Sequence, residues 1–245
     1  MPYKYPFLEI LAELDQHNIH PILVGGWVPT VYFEYLWKTQ HKNIPTKDID
    51  FAISAHQKTK IPIEKVLTST NYTHRHLKTG HLKPYQLIFQ GKVPIDFLAD
   101  KKHADYIHQL VVGKGLLLNV MTEYDFLLDD CISVCCDKLT IKVPAPERYI
   151  LHKLQVYLER PKTRKKDLAM AYFVLSRSSE QDNIIKKAHK LRSNNTANKI
   201  IKKLFQKQPT PTSDFVSDII NSLSIDFGII EEPSTIVWYL KELNG

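Results

Sequence analysis

Apolar positions repeat along the chain with two periods, and the switches between them predict its elements. Phe7, Leu8, Leu11 and Leu14 fall on one stripe at helical spacing, so residues 5–18 read as an amphipathic helix. His20-Pro21-Ile22-Leu23-Val24 is a short apolar run closed by Gly25-Gly26, the pattern of a buried strand entering a tight turn. Residues 27–36 are apolar and aromatic and predict the next helix, with Pro29 tolerated in its first turn. Residues 46–53 predict a second strand, and residues 61–70 a helix opened by Pro62. Two alternating segments, 85–89 and 93–98, flank Gln90-Gly91-Lys92 and predict a hairpin. Residues 110–112, 116–120 and 139–143 read as further strands, and 124–136 as a helix.

After Pro144-Ala145-Pro146 the pattern turns wholly helical. Residues 147–159, 163–177, 182–192 and 196–206 each carry helical spacing. A Pro/Thr/Ser break at 208–213 precedes shorter helical pieces near 214–223 and 233–243. No internal repeat is evident. The expected architecture is an α/β (α+β) domain with a mixed sheet over residues 1–144. An all-helical C-terminal domain over 145–245 follows it.

Composition changes this picture little: 43% of the 245 residues are hydrophobic and 24% charged, as in an ordinary folded domain. No apolar run approaches the roughly eighteen residues of a membrane span, and the N-terminal residues lack the basic-then-apolar order of a secretion signal. The expected address is the cytoplasm, with no membrane partner. Cys131, Cys135 and Cys136 are odd in number and crowded, which argues against a disulfide framework or a zinc site. They are expected to be buried, reduced thiols in a helix.

Charge is more informative in its distribution than in its total of +7. Residues 151–207 hold 15 Lys and Arg against 4 Asp and Glu, leaving the remainder of the chain mildly acidic. Two readings stand: solvated helix faces, or a surface for a polyanion such as a triphosphate or RNA. The run Arg160, Lys162, Arg164, Lys165 and Lys166 divides in the same way.

Asp48-Ile49-Asp50-Phe51 carries the chemistry. On a strand Asp48 and Asp50 share one face while Ile49 and Phe51 turn to the core. Like charges so placed repel, and a divalent cation reverses that sign because hard cations take several carboxylate oxygens. Asp96, set between Ile95 and Phe97, is a third lone acid in an apolar strand. Three such acids can hold two Mg²⁺ ions for phosphoryl chemistry. Glycines between a strand and a helix, as at Gly25-Gly26, let backbone N–H groups approach a phosphate. Elsewhere His74 and His76 alternate, with Lys78, His81 and Lys83 following. This reads as a solvated strand end or a metal-binding face, with Arg75 or Lys78 as a further candidate for a phosphate contact.

Leu23-Val24-Gly25-Gly26, then Thr46-Lys47-Asp48-Ile49-Asp50-Phe51, then Pro94-Ile95-Asp96-Phe97 resembles the polymerase-β-type nucleotidyltransferase superfamily. Pro146–Leu154, with Arg160, Arg164, Lys165 and Asp167-Leu168, is similar to the stand-alone bacterial branch that includes abortive-infection toxins of toxin–antitoxin pairs. The likeness spans roughly residues 20–175. It implies a nucleotidyltransferase fold and transfer of an NMP from an NTP, with release of pyrophosphate. It further implies Gly25 and Gly26 at the triphosphate, and Asp48, Asp50 and Asp96 as ligands of Mg²⁺ or Mn²⁺, with Asp96 also the base. Lys153 and Asp167 carry over as nucleotide-site residues, although Lys153 equally suits a side chain reaching solvent and Asp167 a partner for its basic neighbours. The implied partners are an NTP, an acceptor hydroxyl on tRNA or another RNA, a protein or a small molecule, and an antitoxin. The alternative is a non-catalytic module that keeps the fold and holds RNA or protein. Two departures stand out: Gly26 where Ser is common, and the bulky Trp27-Val28-Pro29 directly after the glycines.

Overall fold

A computed structural model gives the structure of the chain, which is described at residues 3–39, 46–76, 85–121, 125–204 and 209–244. Among these, one compact unit takes the residues up to Val31 together with Thr46–Pro144. The other takes Tyr32–Thr39 together with the residues from Ala145 onward. Aromatic packing explains why Tyr32 and Phe33 belong to the second unit. Their rings lie 5.8 Å from Tyr149 and 5.3 Å from Phe173, and Trp37 packs on both.

The first unit is built on an eight-stranded mixed sheet. Its helix α1 (Pro6–Asp15) opens with proline in its first turn and buries Phe7, Leu8, Ile10, Leu11 and Leu14, the predicted stripe extended by one residue. The strands are β1 (Ile22–Val24), β2 (Ile49–Ala52), β3 (Tyr72–His76), β4 (Tyr85–Phe89), β5 (Val93–Asp100), β6 (Leu118–Met121), β7 (Ile132–Cys136) and β8 (Leu139–Val143). They run in the order β3-β4-β5-β2-β1-β8-β7, with β6 beside β5. Pairings of β2 with β5, β1 with β8 and β5 with β6 are parallel; the others are antiparallel. The β4–β5 hairpin turns through Gln90 and Gly91, both at positive φ (49° and 66°), the backbone that a tight hairpin requires.

Four local expectations need correction. Residues 27–36 are not one regular helix: a 3₁₀ turn (Gly25–Trp27) leads into α2 (Val28–Val31) and a π-helical turn (Tyr32–Leu36). The helix expected over 61–70 is the single turn α3 (Ile63–Val66), with Pro62 just before it. Residues 110–112 are not a strand but the end of a π-helical turn, Ile107–Val112, that follows α4 (Ala104–Tyr106). There Ile107, Val111 and Val112 are buried while Gln109 and Leu110 face solvent, a four-residue spacing that a three-residue apolar run cannot reveal. The segment expected as one helix over 124–136 holds α5 (Asp125–Leu128) and then strand β7. The cysteines are free, as expected, but lie on or just before a strand: Cys136 is buried, Cys135 exposed and Cys131 between them.

The second unit is helical throughout: α6 (Pro146–Glu159), α7 (Lys165–Arg177), α8 (Gln181–Lys190), α9 (Asn195–Leu204), α10 (Asp214–Ser222) and α11 (Pro233–Asn244). Helix α6 is central, packed by α7, α8 and α9, and α7 buries every residue from Leu168 to Ser176. A helix buried nearly all round is the core of its bundle. Among the described residues no helix is long and apolar enough to cross a membrane. The architecture is therefore a mixed sheet with helices, followed by a helical C-terminal region.

Candidate active site

Strand pleat and register bring the acids together. Asp50 and Asp96 are direct partners across the parallel β2–β5 pairing, so both rise from one face of the sheet. Ile49, Phe51, Ile95 and Phe97 point to the other face and are buried, with the two phenyl rings stacked at 6.1 Å. Asp48, just before β2, brings a carboxylate to the same place. The three acids, each half-buried, offer one oxygen apiece within 4.8 Å of one another. Along the same face Ile22, Val24, Ala52, Leu98 and Leu127 form an apolar cluster, so the acids stand at the edge of a dry floor. This donor set suits a hard divalent cation, which takes oxygen ligands and offsets the mutual repulsion of the carboxylates.

The glycine turn lies against the acids. Gly25 has φ +72°, and a Cβ placed on it would come within 1.9 Å of Asp50 Oδ2. Glycine is therefore needed here twice over, for the backbone and for the close approach. At Gly26 the room that a side chain would take is filled by the Thr46 hydroxyl, 2.5 Å from a hypothetical Cβ. That hydroxyl donates to the Asp48 backbone oxygen (3.2 Å) and carboxylate (3.4 Å), tying the turn to the first acid. Trp27 packs its ring on Tyr5 and Phe7 at 5.6 and 5.4 Å, which accounts for its bulk directly after the glycines.

Asp96 is held from the side opposite Asp50. Gln86 on β4 donates Nε2–H to Asp96 Oδ1 at 2.6 Å, and Asn119 on β6 donates to the same oxygen at 3.4 Å. The Arg75 guanidinium on β3 donates in turn to Gln86 Oε1. Burial raises the Asp96 pKa above the ordinary carboxylate value; the Gln86 bond opposes this and the Asp48 charge adds to it. Gln86 and Asn119 were not readable as site residues in the sequence, Arg75 was read only as a phosphate contact, and Thr46 only as part of the motif around Asp48. Apart from Thr46, which neighbours Asp48 in the chain, only strand register gathers them. The sequence carries one signal for Gln86, a lone polar residue inside the apolar run 85–89; the structure buries it to 6% exposure, where a polar group needs a partner.

The remaining expected residues sit differently. Lys153 on α6 and Asp167 on α7 form an ion pair at 2.6 Å within the helical unit, each 13% exposed. Arg164 lies 3.8 Å from the same carboxylate, and Lys165 pairs with Asp218 at 2.7 Å, so part of the basic run is engaged internally. His74 stacks on Tyr85 at 4.1 Å, with His76 edge-on to the same ring at 6.0 Å. Among the described residues the acids 48, 50 and 96 are the one group placed to share a metal ion, and it includes neither histidine. Lys78, His81 and Lys83 lie outside the described residues.

No curated protein matches the chain. A solved structure described as an antigenic nucleotidyltransferase-like protein from Paracoccidioides brasiliensis aligns over 90% of this chain and 94% of its own, at 14% identity and a TM-score of 0.40. The family described as Nucleotidyltransferase matches residues 6–193, a span that takes in the glycine turn and all three acids. By that match, which runs through well over half of its length, the chain belongs to the nucleotidyltransferase family.

Proposed function

We propose that the protein is a metal-dependent nucleotidyltransferase that moves an NMP from an NTP to an acceptor hydroxyl. The observation that carries this reading is the meeting of the Asp48, Asp50 and Asp96 oxygens within 4.8 Å, in a chain of this family. These three residues would hold Mg²⁺ or Mn²⁺, which supplies Lewis-acid stabilisation of the charge on the triphosphate and the leaving group. The Gly25-Gly26 turn offers its backbone to the phosphates beside Asp50. Asp96 accepts the proton of the acceptor hydroxyl. The freed oxygen bonds to the α-phosphorus, the bond between that phosphorus and the bridging oxygen of the β-phosphate breaks, and pyrophosphate departs.

RNA is the acceptor class best supported, because the basic excess of residues 151–207 includes exposed Lys186, Lys187, Lys190, Lys199, Lys202 and Lys203 on α8 and α9. A toxin role paired with an antitoxin is the finer extension of the same reading. The test incubates the protein with labelled NTPs, Mg²⁺ or Mn²⁺ and a total-RNA pool. Label should reach RNA, and Asp48→Ala or Asp50→Ala should lower transfer by more than about 100-fold. Absence of label in any acceptor, from wild type and variants alike, overturns the assignment. Growth arrest on expression that Asp50→Ala relieves would support the toxin extension, and growth unaffected by the wild-type chain would remove it.

A further inference from the structure

A row of polar residues crosses the sheet at the level of the acids. Register sets Arg75 opposite Gln86 on the β3–β4 pairing, and Asp96 opposite Asp50 on the β5–β2 pairing. Between them, the β4–β5 register that pairs Leu87 with Ile95 brings Gln86 alongside Asp96. Four neighbouring strands thus present Arg75, Gln86, Asp96 and Asp50 in line on one face. Asn119 joins from β6, one pleat further along, where Leu98 is paired with it.

The chemistry of this row has a direction. Arginine offers only donors, so Gln86 must turn its carbonyl oxygen to Arg75 and its NH₂ to Asp96. An amide that is otherwise free to flip is thereby fixed as a donor. Both amide donors, from strands on the same side of β5, converge on one oxygen of Asp96, Oδ1. Asp50, the register partner of Asp96, lies on the opposite side of β5.

We infer that Arg75, Gln86 and Asn119 are positioning residues that clamp Oδ1 of Asp96, so that the carboxylate meets the cation and the acceptor through Oδ2 in a single orientation. The inference rests on the nucleotidyl-transfer reading for its consequence, but the clamp itself is a statement about the Asp96 side chain. Three carboxylates crowded within 4.8 Å repel one another, and without a hold on Asp96 its side chain relaxes away from the other two. Gln86 supplies that hold from a buried position, and Arg75 keeps it in the correct sense from an exposed one. Outer-shell partners of this kind commonly alter metal affinity or activity by 10–100-fold.

The test uses the full chain with Gln86→Met, which keeps the volume and removes the donor, Arg75→Met, and the double variant. Mn²⁺ binding is read by electron paramagnetic resonance, pyrophosphate release with ATP and RNA gives kcat and KM, and crystal structures give the Asp96 rotamer. Gln86→Met is expected to weaken Mn²⁺ binding and lower kcat by about 10–100-fold each, with KM for ATP within about twofold. Arg75→Met should act in the same direction but less. The double variant should match Gln86→Met alone, because both act through one amide. Should Gln86→Met not fold, Arg75→Met, altered at an exposed position, carries the comparison. Mn²⁺ affinity and an Asp96 rotamer unchanged in the variants would overturn the clamp. If the wild type neither binds Mn²⁺ nor releases pyrophosphate, the catalytic reading fails. The rotamer then decides the clamp by itself: displaced in Gln86→Met supports it, unmoved overturns it.

Discussion

Gly25 and Gly91 share a left-handed backbone, with φ +72° and +66°, but differ in what surrounds them. A Cβ at Gly91 meets nothing within 4 Å, whereas one at Gly25 collides with the Asp50 carboxylate. Gly91→Ala should therefore cost only the backbone penalty of about 1–2 kcal/mol and leave Mn²⁺ binding intact. Gly25→Ala should carry the same penalty and also displace Asp50, weakening Mn²⁺ binding by more than tenfold, on the order of an outer-shell lesion or worse. Urea melts alongside Mn²⁺ titrations separate the two effects; equal Mn²⁺ affinities would sever the glycine from the acid. A second residue-scale prediction concerns His152 on α6. Burial, helped by the neighbouring Lys153 ammonium and opposed by Asp167, pushes its pKa down to about 3. Between roughly pH 6.5 and that value the unfolded chain binds a proton at this ring and the native chain does not. Stability should thus fall as the pH drops through this window, and His152→Gln should remove up to one proton from the slope, about 1.4 kcal/mol per pH unit. Urea midpoints from pH 7 to pH 4 measure it, and parallel profiles for the two proteins would contradict a ring held neutral in the native chain.

At the scale of elements, what could be read in the sequence was local. Asp48 and Asp50 stood out as an Asp-x-Asp pair, Asp96 because it interrupts an apolar strand, and Gly25-Gly26 because it follows one. The β4–β5 hairpin was legible in its alternation and its Gly91 turn, and the stripes of α1 and α6 through α11 in their helical spacing. Strand β7 was missed although Val134 and Cys136 are buried while Ser133 and Cys135 are exposed. Its neighbouring turn lacks the usual glycine, using Asp137 at φ 53° instead. Gln86 and Asn119 were hidden for another reason: register across β4, β5 and β6 is a property of the folded sheet, and neither residue is near Asp96 in sequence. The β7 assignment has a chemical check. Cys136 is fully buried, and burial, with smaller contributions from Asp137 and Cys135, pushes its thiol up to about 12. Iodoacetamide at pH 8 should modify exposed Cys135 within minutes and reach Cys136 only on unfolding, as peptide mass spectrometry would read. Equal rates for the two would contradict opposite facing on a strand.

For the whole molecule the open quantity is what the basic excess of residues 151–207 does. Some of it is structural: Lys153 with Asp167, Lys165 with Asp218 and Arg177 with Glu231 are ion pairs whose acids are only 13–14% exposed. Removing one of these cations leaves a half-buried carboxylate without its partner, so the loss falls on stability. The exposed lysines of α8 and α9 are different, since surface substitutions of this kind change stability by less than about 0.5 kcal/mol. Their effect should appear in polyanion binding alone. Each phosphate neutralised on a single strand contributes about −0.7 to the slope of log K against log salt concentration. Replacing Lys186, Lys187 and Lys190 together by Gln should therefore make the slope for a single-stranded RNA shallower by about 2 if all three meet phosphates. The Lys199, Lys202 and Lys203 set should do the same if α9 shares the contact, and neither set should shift the melting temperature. Lys165→Met should give the reverse pattern, a lower melting temperature with an unchanged slope. Fluorescence anisotropy between 50 and 200 mM NaCl, roughly the range over which such electrostatic binding is most responsive, distinguishes these outcomes. A slope untouched by both triple substitutions would mean that these lysines solvate their helices and that the acceptor is not recognised through this charge.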